Sequence, residues 1–193
     1  MIDANETFDG TWPFSPRFTS VSGFKQHYVD EGPRGAETIL CLHGEPTWGY
    51  LYRNMIGPLS ENFRVVVPDH MGCGKSETPQ DRVYTLQTHV ENLERFVEDL
   101  DLQDVTIVCQ DWGGPIAGAF TARNSSRVSR LFVANTVLGY GGGAAAGRTP
   151  WFEWIAKHEE AGTLNGILGE LGSTILSVMK IIGFQNSAAV DDT

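Results

Sequence analysis

The apolar run Val105-Thr106-Ile107-Val108 leads directly into Cys109-Gln110-Asp111-Trp112-Gly113-Gly114. The run reads as a buried strand, and the residues after Gly114 read as a helix with Pro115 tolerated in its first turn. The chain must therefore turn sharply from strand to helix at Asp111, with an acidic side chain at the turn and small residues beside it. A carboxylate so placed can act as a nucleophile, and it attacks saturated carbon rather than acylating itself as a serine does.

The same alternation recurs along the chain. Residues 17–31 read as an antiparallel hairpin around Ser22-Gly23, followed by the turn Gly32-Pro33-Arg34-Gly35. Thr38 to Leu42, Arg64 to Val67 and Val128 to Thr136 read as further buried strands. Residues 48–60 look helical, and Leu86, Val90, Leu93, Phe96, Val97 and Leu100 share one helical face. Strands alternating with helices imply an α/β class with a mostly parallel sheet covered on both faces.

After Leu138 the pattern changes. Gly141 to Gly147 reads as a linker, and Trp151 to Ala161 and Leu164 to Ile182 read as helices. Ile167, Leu168, Leu171, Ile175, Leu176, Met179 and Ile182 form an apolar stripe, and Gln185 to Thr193 is a polar end. A helical excursion from an α/β domain is the usual construction of a lid.

The length of 193 residues suits one α/β domain with such an excursion. A net charge of -10 without a basic cluster argues against nucleic acid. The apolar stretch Thr174 to Phe184 is too short to span a bilayer and contains Lys180. The start, Met1 to Glu6, has neither the basic nor the apolar region of a signal peptide. Three cysteines, Cys41, Cys73 and Cys109, read as reduced thiols, so a cytoplasmic location is expected. No His and Cys spacing suggests a metal, and no cofactor is expected.

Three motifs follow predicted strands at their carboxyl ends, where open α/β sheets hold ligands. They are His43-Gly44-Glu45-Pro46-Thr47-Trp48, Asp69-His70-Met71-Gly72-Cys73-Gly74-Lys75-Ser76, and Gln110-Asp111-Trp112-Gly113-Gly114. With Tyr52-Arg53 they make the chain resemble the haloalkane dehalogenase family of α/β-hydrolases over roughly residues 17–140, and more weakly beyond. The resemblance implies a partial α/β-hydrolase fold with the beginning of a helical cap. The main domain would occupy residues 1–138 with its first six strands, and the partial cap residues 139–193.

It also implies roles. Asp111 would be the nucleophile, and the backbone N–H groups of Glu45 and Trp112 the oxyanion hole. The Trp112 indole N–H would hold the departing halide, the other partners being a halogenated alkane and water. The base of that family comes from a loop after later strands. None of His27, His43, His70, His89 and His158 follows a strand beyond the cap. The chain is therefore expected to be a truncated member that alkylates itself once and stops, with an open sheet edge available for self-association.

Other readings compete. An epoxide hydrolase shares the aspartate but needs acidic donors from the cap, and beyond residue 138 the only tyrosine is Tyr140. A haloacetate dehalogenase would carry an arginine after the nucleophile, where Trp112 stands. A non-catalytic remnant fits the missing base. His43 is expected to shape the oxyanion loop rather than act as a base. Asp69, Gly72 and Gly74 are expected to shape a turn, Lys75 to be a surface charge, and Trp151 and Trp154 to pack within the cap.

Overall fold

The two short apolar runs at Thr38–Leu42 and Arg64–Pro68 show no polar alternation because both of their faces are covered. In the computed structural model, which describes residues 2–138 and 150–163, Ile39 and Cys41 face one core. Leu40 and Leu42 face the other. Successive strand residues point to opposite faces, so five buried residues in a row require a layer on each side.

The sheet has six strands: β1 (Arg17–Thr19), β2 (Gln26–Glu31), β3 (Thr38–Leu42), β4 (Arg64–Pro68), β5 (Val105–Gln110) and β6 (Val128–Ala134). Their spatial order is β1-β2-β4-β3-β5-β6. β1 pairs with β2, and β2 with β4, antiparallel; β4, β3, β5 and β6 run parallel. The register sets Leu40 against Val66 on one side and Ile107 on the other.

Helix α1 (Arg53–Ser60), preceded by a 3-10 turn at Gly49–Tyr52, supplies Tyr52 and Ile56 to the core that also holds Trp12, Val65 and Val67. Helices α2 (Leu86–Asp99) and α3 (Gly113–Arg123) cover the other face with Val90, Leu93, Phe96, Val97, Ile116 and Phe120. The Thr85 hydroxyl caps α2 by accepting from the Thr88 N–H at 3.1 Å. Burial of this apolar face against the sheet stabilises α2 more than its own propensity does.

The chain divides into two units, residues 1–140 and 141–193. In the second, helix α4 (Pro150–Glu160) stands where Trp151 to Ala161 was expected to be helical. The Trp154 ring lies 4.5 Å from that of His158. The expected linker at 141–147, the helix and stripe at 164–182, and the polar end lie outside the described residues. No helix among the described residues is long and apolar enough to cross a membrane.

Three expectations are corrected. Lys75 is not a surface charge: it is buried, and its ammonium donates to the carbonyls of Ala4 at 2.9 Å and Glu6 at 2.7 Å. The N-terminal segment folds over it, and burial lowers its pKa while Asp69 and Glu6 oppose that shift. Leu86 does not share the buried face of α2; it is exposed in the first turn, on the rim of a cavity. β6 is not a buried strand: Phe132 and Val133 are exposed, and only Val128 and Leu131 pack on the core. Among the described residues β6 has β5 as its one sheet neighbour.

Candidate active site

The strand-to-helix turn is closed by small residues. A Cβ on Gly113 would stand 2.1 Å from the Leu42 carbonyl oxygen, so only glycine lets α3 begin this close to the end of β3. Asp111, between β5 and α3, adopts φ 50°, a left-handed conformation that costs a non-glycine residue roughly 1–2 kcal/mol. The turn is held by the Gly114 N–H, which donates to the Asp111 carbonyl at 2.9 Å. The Thr136 hydroxyl donates to the same carbonyl.

The carboxylate is fixed through one oxygen. Oδ1 of Asp111 accepts from the N–H of Glu45 at 2.9 Å and from the N–H of Trp112 at 2.7 Å. Among the described residues none donates to Oδ2.

The Glu45 N–H is aimed by the peptide it belongs to. The C=O and N–H of a trans peptide point in opposite directions. The Gly44 carbonyl accepts three bonds: from the Thr47 N–H at 3.0 Å, from the Thr47 hydroxyl at 2.9 Å and from His43 Nδ1 at 3.1 Å. Pinned there, the Gly44–Glu45 peptide turns its N–H to Asp111. The His43 tautomer follows from its other nitrogen. The His70 N–H can only donate, and it meets His43 Nε2 at 2.9 Å, so that nitrogen accepts and the proton sits on Nδ1. His70 Nε2 in turn donates to the His43 carbonyl at 3.0 Å.

Asp69 stands beneath this loop, fully buried. Its Oδ1 accepts from the Gly49 N–H at 2.9 Å; its Oδ2 accepts from the Lys75 N–H at 2.9 Å and lies 2.8 Å from His27 Nδ1. It ties the turn after β4 to β2 and to the 3-10 turn at Gly49.

Glu45 and Trp112 line a cavity of about 220 Å³, together with His70, Cys73, Tyr84 and His89 and the apolar Leu86 and Ile116. Burial lowers the pKa of His43 and His89 and lowers that of His70 further, with the neighbouring imidazoles adding to the effect at His70 and His89. The three rings form a chain, with centroids 4.4 Å apart for His43 and His70 and 5.7 Å apart for His70 and His89. The Cys73 thiol donates to Glu45 Oε1 at 3.6 Å, and burial together with Glu45 pushes its pKa up. Among the described residues no three of His, Cys, Asp and Glu are grouped as metal ligands.

The structure brings Asp111, Glu45 and Trp112 together. It adds Thr47, whose two bonds aim the peptide, and Thr136. It also adds Tyr84 and His89, which come from a loop and a helix that carry no motif. Trp12, buried among Phe14, Trp48 and Tyr50, was not foreseen as core.

A parallel sheet, an acidic side chain on a left-handed strand-to-helix turn and two N–H groups converging on it make the strand–turn–helix arrangement of the α/β-hydrolase fold. Residues 37–164 match the family model described as alpha/beta hydrolase fold, and the chain belongs to that family. Within it, the chain is 44% identical over 132 residues to a haloalkane dehalogenase of Psychrobacter cryohalolentis, covering 65% of this chain and 44% of that one. It is 38% identical over 131 residues to a cis-3-alkyl-4-alkyloxetan-2-one decarboxylase of Shewanella oneidensis, covering 66% of this chain and 41% of that one. A tetrameric haloalkane dehalogenase of Paraglaciecola agarilytica superposes with a TM-score of 0.69 at 38% identity, over 78% of this chain and 52% of that one. The chain therefore spans about half the length of the relatives it matches.

Proposed function

We propose that this chain carries the nucleophilic half of a haloalkane dehalogenase site. The observation that supports it most is the asymmetric hold on Asp111: one carboxylate oxygen bound by two N–H groups, the other available to attack. Oδ2 displaces halide from saturated carbon; a C–O bond forms as the carbon–halogen bond breaks, and the halide leaves with the electron pair. Indole carries one N–H donor and no acceptor atom, which suits Trp112 to a weakly hydrated anion. In the second step water adds to the ester carbonyl. The charge then develops on Oδ1, already seated on the N–H groups of Glu45 and Trp112. Collapse releases the alcohol and restores Asp111.

That second step needs a base. Both nitrogens of His43 are engaged, and His70 Nε2 donates to a backbone carbonyl. Among the described residues the one histidine paired with a carboxylate is His27, buried against Asp69 and away from the cavity lining. General-base help is worth about 10²–10⁴-fold, so the ester is expected to outlive its formation. Residues 1–138 would act as the main domain, with the cap beginning at 139. The exposed Phe132 and Val133 of β6 support self-association, which light scattering would read as a species above monomer mass.

The test is intact mass and halide count after incubation with excess 1-bromobutane. The expected result is one butyl group on Asp111, about one halide per chain, and neither in Asp111→Asn. Absence of any adduct in the folded protein would overturn the reading, and sustained halide release would overturn its single-turnover part. The relative that decarboxylates an oxetan-2-one favours a second reading. Carbon dioxide release from such a β-lactone, lost in Asp111→Asn and without a bromide adduct, would select it. An adduct from an epoxide alone would select epoxide hydrolysis.

A further inference from the structure

The cavity beside Asp111 carries charge of one sign. Glu45 contributes its N–H to the oxyanion site, yet its side chain also faces the cavity, where Oε1 accepts from the Cys73 thiol at 3.6 Å. That contact fixes the carboxylate on the wall. The other polar side chains of the lining are imidazoles, a thiol, a phenol, the Thr85 hydroxyl and the Trp112 indole. No lysine or arginine lines the cavity among the described residues. His43 is neutral by its hydrogen bonds, one nitrogen accepting and one donating. The low pKa values of His70 and His89 agree with neutral rings there as well. Asp111, held by the residues next in the wall, adds a second negative charge.

The geometry points to Glu45 as a charge filter: its carboxylate admits neutral and cationic haloalkanes and turns away haloalkanoates. The substrate class rests on the dehalogenase reading, whereas the field in the cavity does not, and the two are tested apart.

Cys73 is the reporter of the field, since it lines the cavity while Cys41 and Cys109 are buried. The folded protein is treated with methanethiosulfonates bearing a trimethylammonioethyl or a sulfonatoethyl group. In each reaction the thiolate attacks sulfur, a disulfide forms and methanesulfinate leaves. Rates at Cys73, identified by peptide mass, are divided by those of free cysteine. The cation-over-anion ratio should exceed the free-cysteine value on the order of tenfold, as expected for opposite unit charges within several ångström of an exposed carboxylate. In Glu45→Gln the ratio should fall toward the free-cysteine value. The rate with the anionic reagent should rise there, because the thiol loses its anionic neighbour and the reagent loses its repulsion. A wild-type ratio equal to that of free cysteine overturns the filter without any variant, and so does a ratio unchanged in Glu45→Gln.

In the substrate arm, bromohexanamide and bromopentyl-trimethylammonium should alkylate Asp111 faster than bromohexanoate. Equal rates for the amide and the carboxylate overturn the proposal. If no bromide gives an adduct while the thiol ratio holds, the dehalogenase reading fails and the charge selection stands.

Discussion

Replacing Gly44 with alanine should pull the Glu45 N–H away from Asp111 without changing the Asp111 or Trp112 side chain. A Cβ at position 44 would lie 2.3 Å from Asp111 Oδ1, 2.4 Å from Asp111 Cβ and 2.5 Å from the Trp112 nitrogen. Nonbonded carbon atoms settle at about 3.5–4.0 Å, so the loop after β3 and the turn after β5 must part by roughly 1 Å. The Glu45 N–H bond to Oδ1 starts at 2.9 Å. Lengthened by that amount it leaves the range of about 2.7–3.2 Å in which such bonds hold. Misplacing a reacting group by about 1 Å costs about 10²-fold in rate. The accompanying overpacking should cost about 1–3 kcal/mol, which lowers Tm by roughly 2–4 °C for each kcal/mol in a chain of this size. The assay is the rate of Asp111 alkylation by 1-bromobutane, followed by intact mass, beside a thermal melt. A folded variant that captures the alkyl group at the wild-type rate would refute the claim that this close approach sets the Asp111 carboxylate for the proposed attack.

Three further outcomes are expected. Asp69→Asn weakens the acceptor that a buried imidazole and two backbone N–H groups face; it should cost about 1–3 kcal/mol in a urea titration, and a loss under about 0.5 kcal/mol would show that the turn after β4, β2 and the 3-10 turn hold without it. Trp112→Phe keeps most of the apolar area and deletes one donor worth roughly 1.5–3 kcal/mol to an anion, so the halide dissociation constant should rise at least about tenfold; unchanged halide affinity would remove the indole from the site. His43, His70 and His89 have folded pKa values below the ordinary 6.5, so on acidification the unfolded chain takes up protons first. Stability is then full above pH 6.5 and falls as the pH drops from there toward the folded values. His70→Asn should flatten that slope in melts taken from pH 7 to 5, and an equal slope in the variant would contradict the assignment.

The alternation of short apolar runs with helical periodicity was enough to set the class and four parallel strands. Strand period and helix period are local properties of the side-chain order, and β3 to β5 lie where those patterns fall. The convergence of Glu45, Asp111 and Trp112 was legible for a related reason: each motif follows a strand at its carboxyl end, and parallel strands bring those ends to one edge. The structure alone decided what depends on distant chain. Lys75 looks like a surface residue in sequence, but carbonyls some 70 positions earlier take its charge out of solvent. Phe132 and Val133 belong to a run that reads as a buried strand, and the structure shows which of its residues are exposed, since burial needs a cover that apolar content does not report. Tyr84, Cys73 and His89 carry no common pattern; they meet because α2 and the loop before it pack over the end of the sheet. The sequence determined which groups stand at the ends of strands. Tertiary packing decided which of them share a cavity, and with what charge, because burial and distance between remote segments are properties of the folded chain.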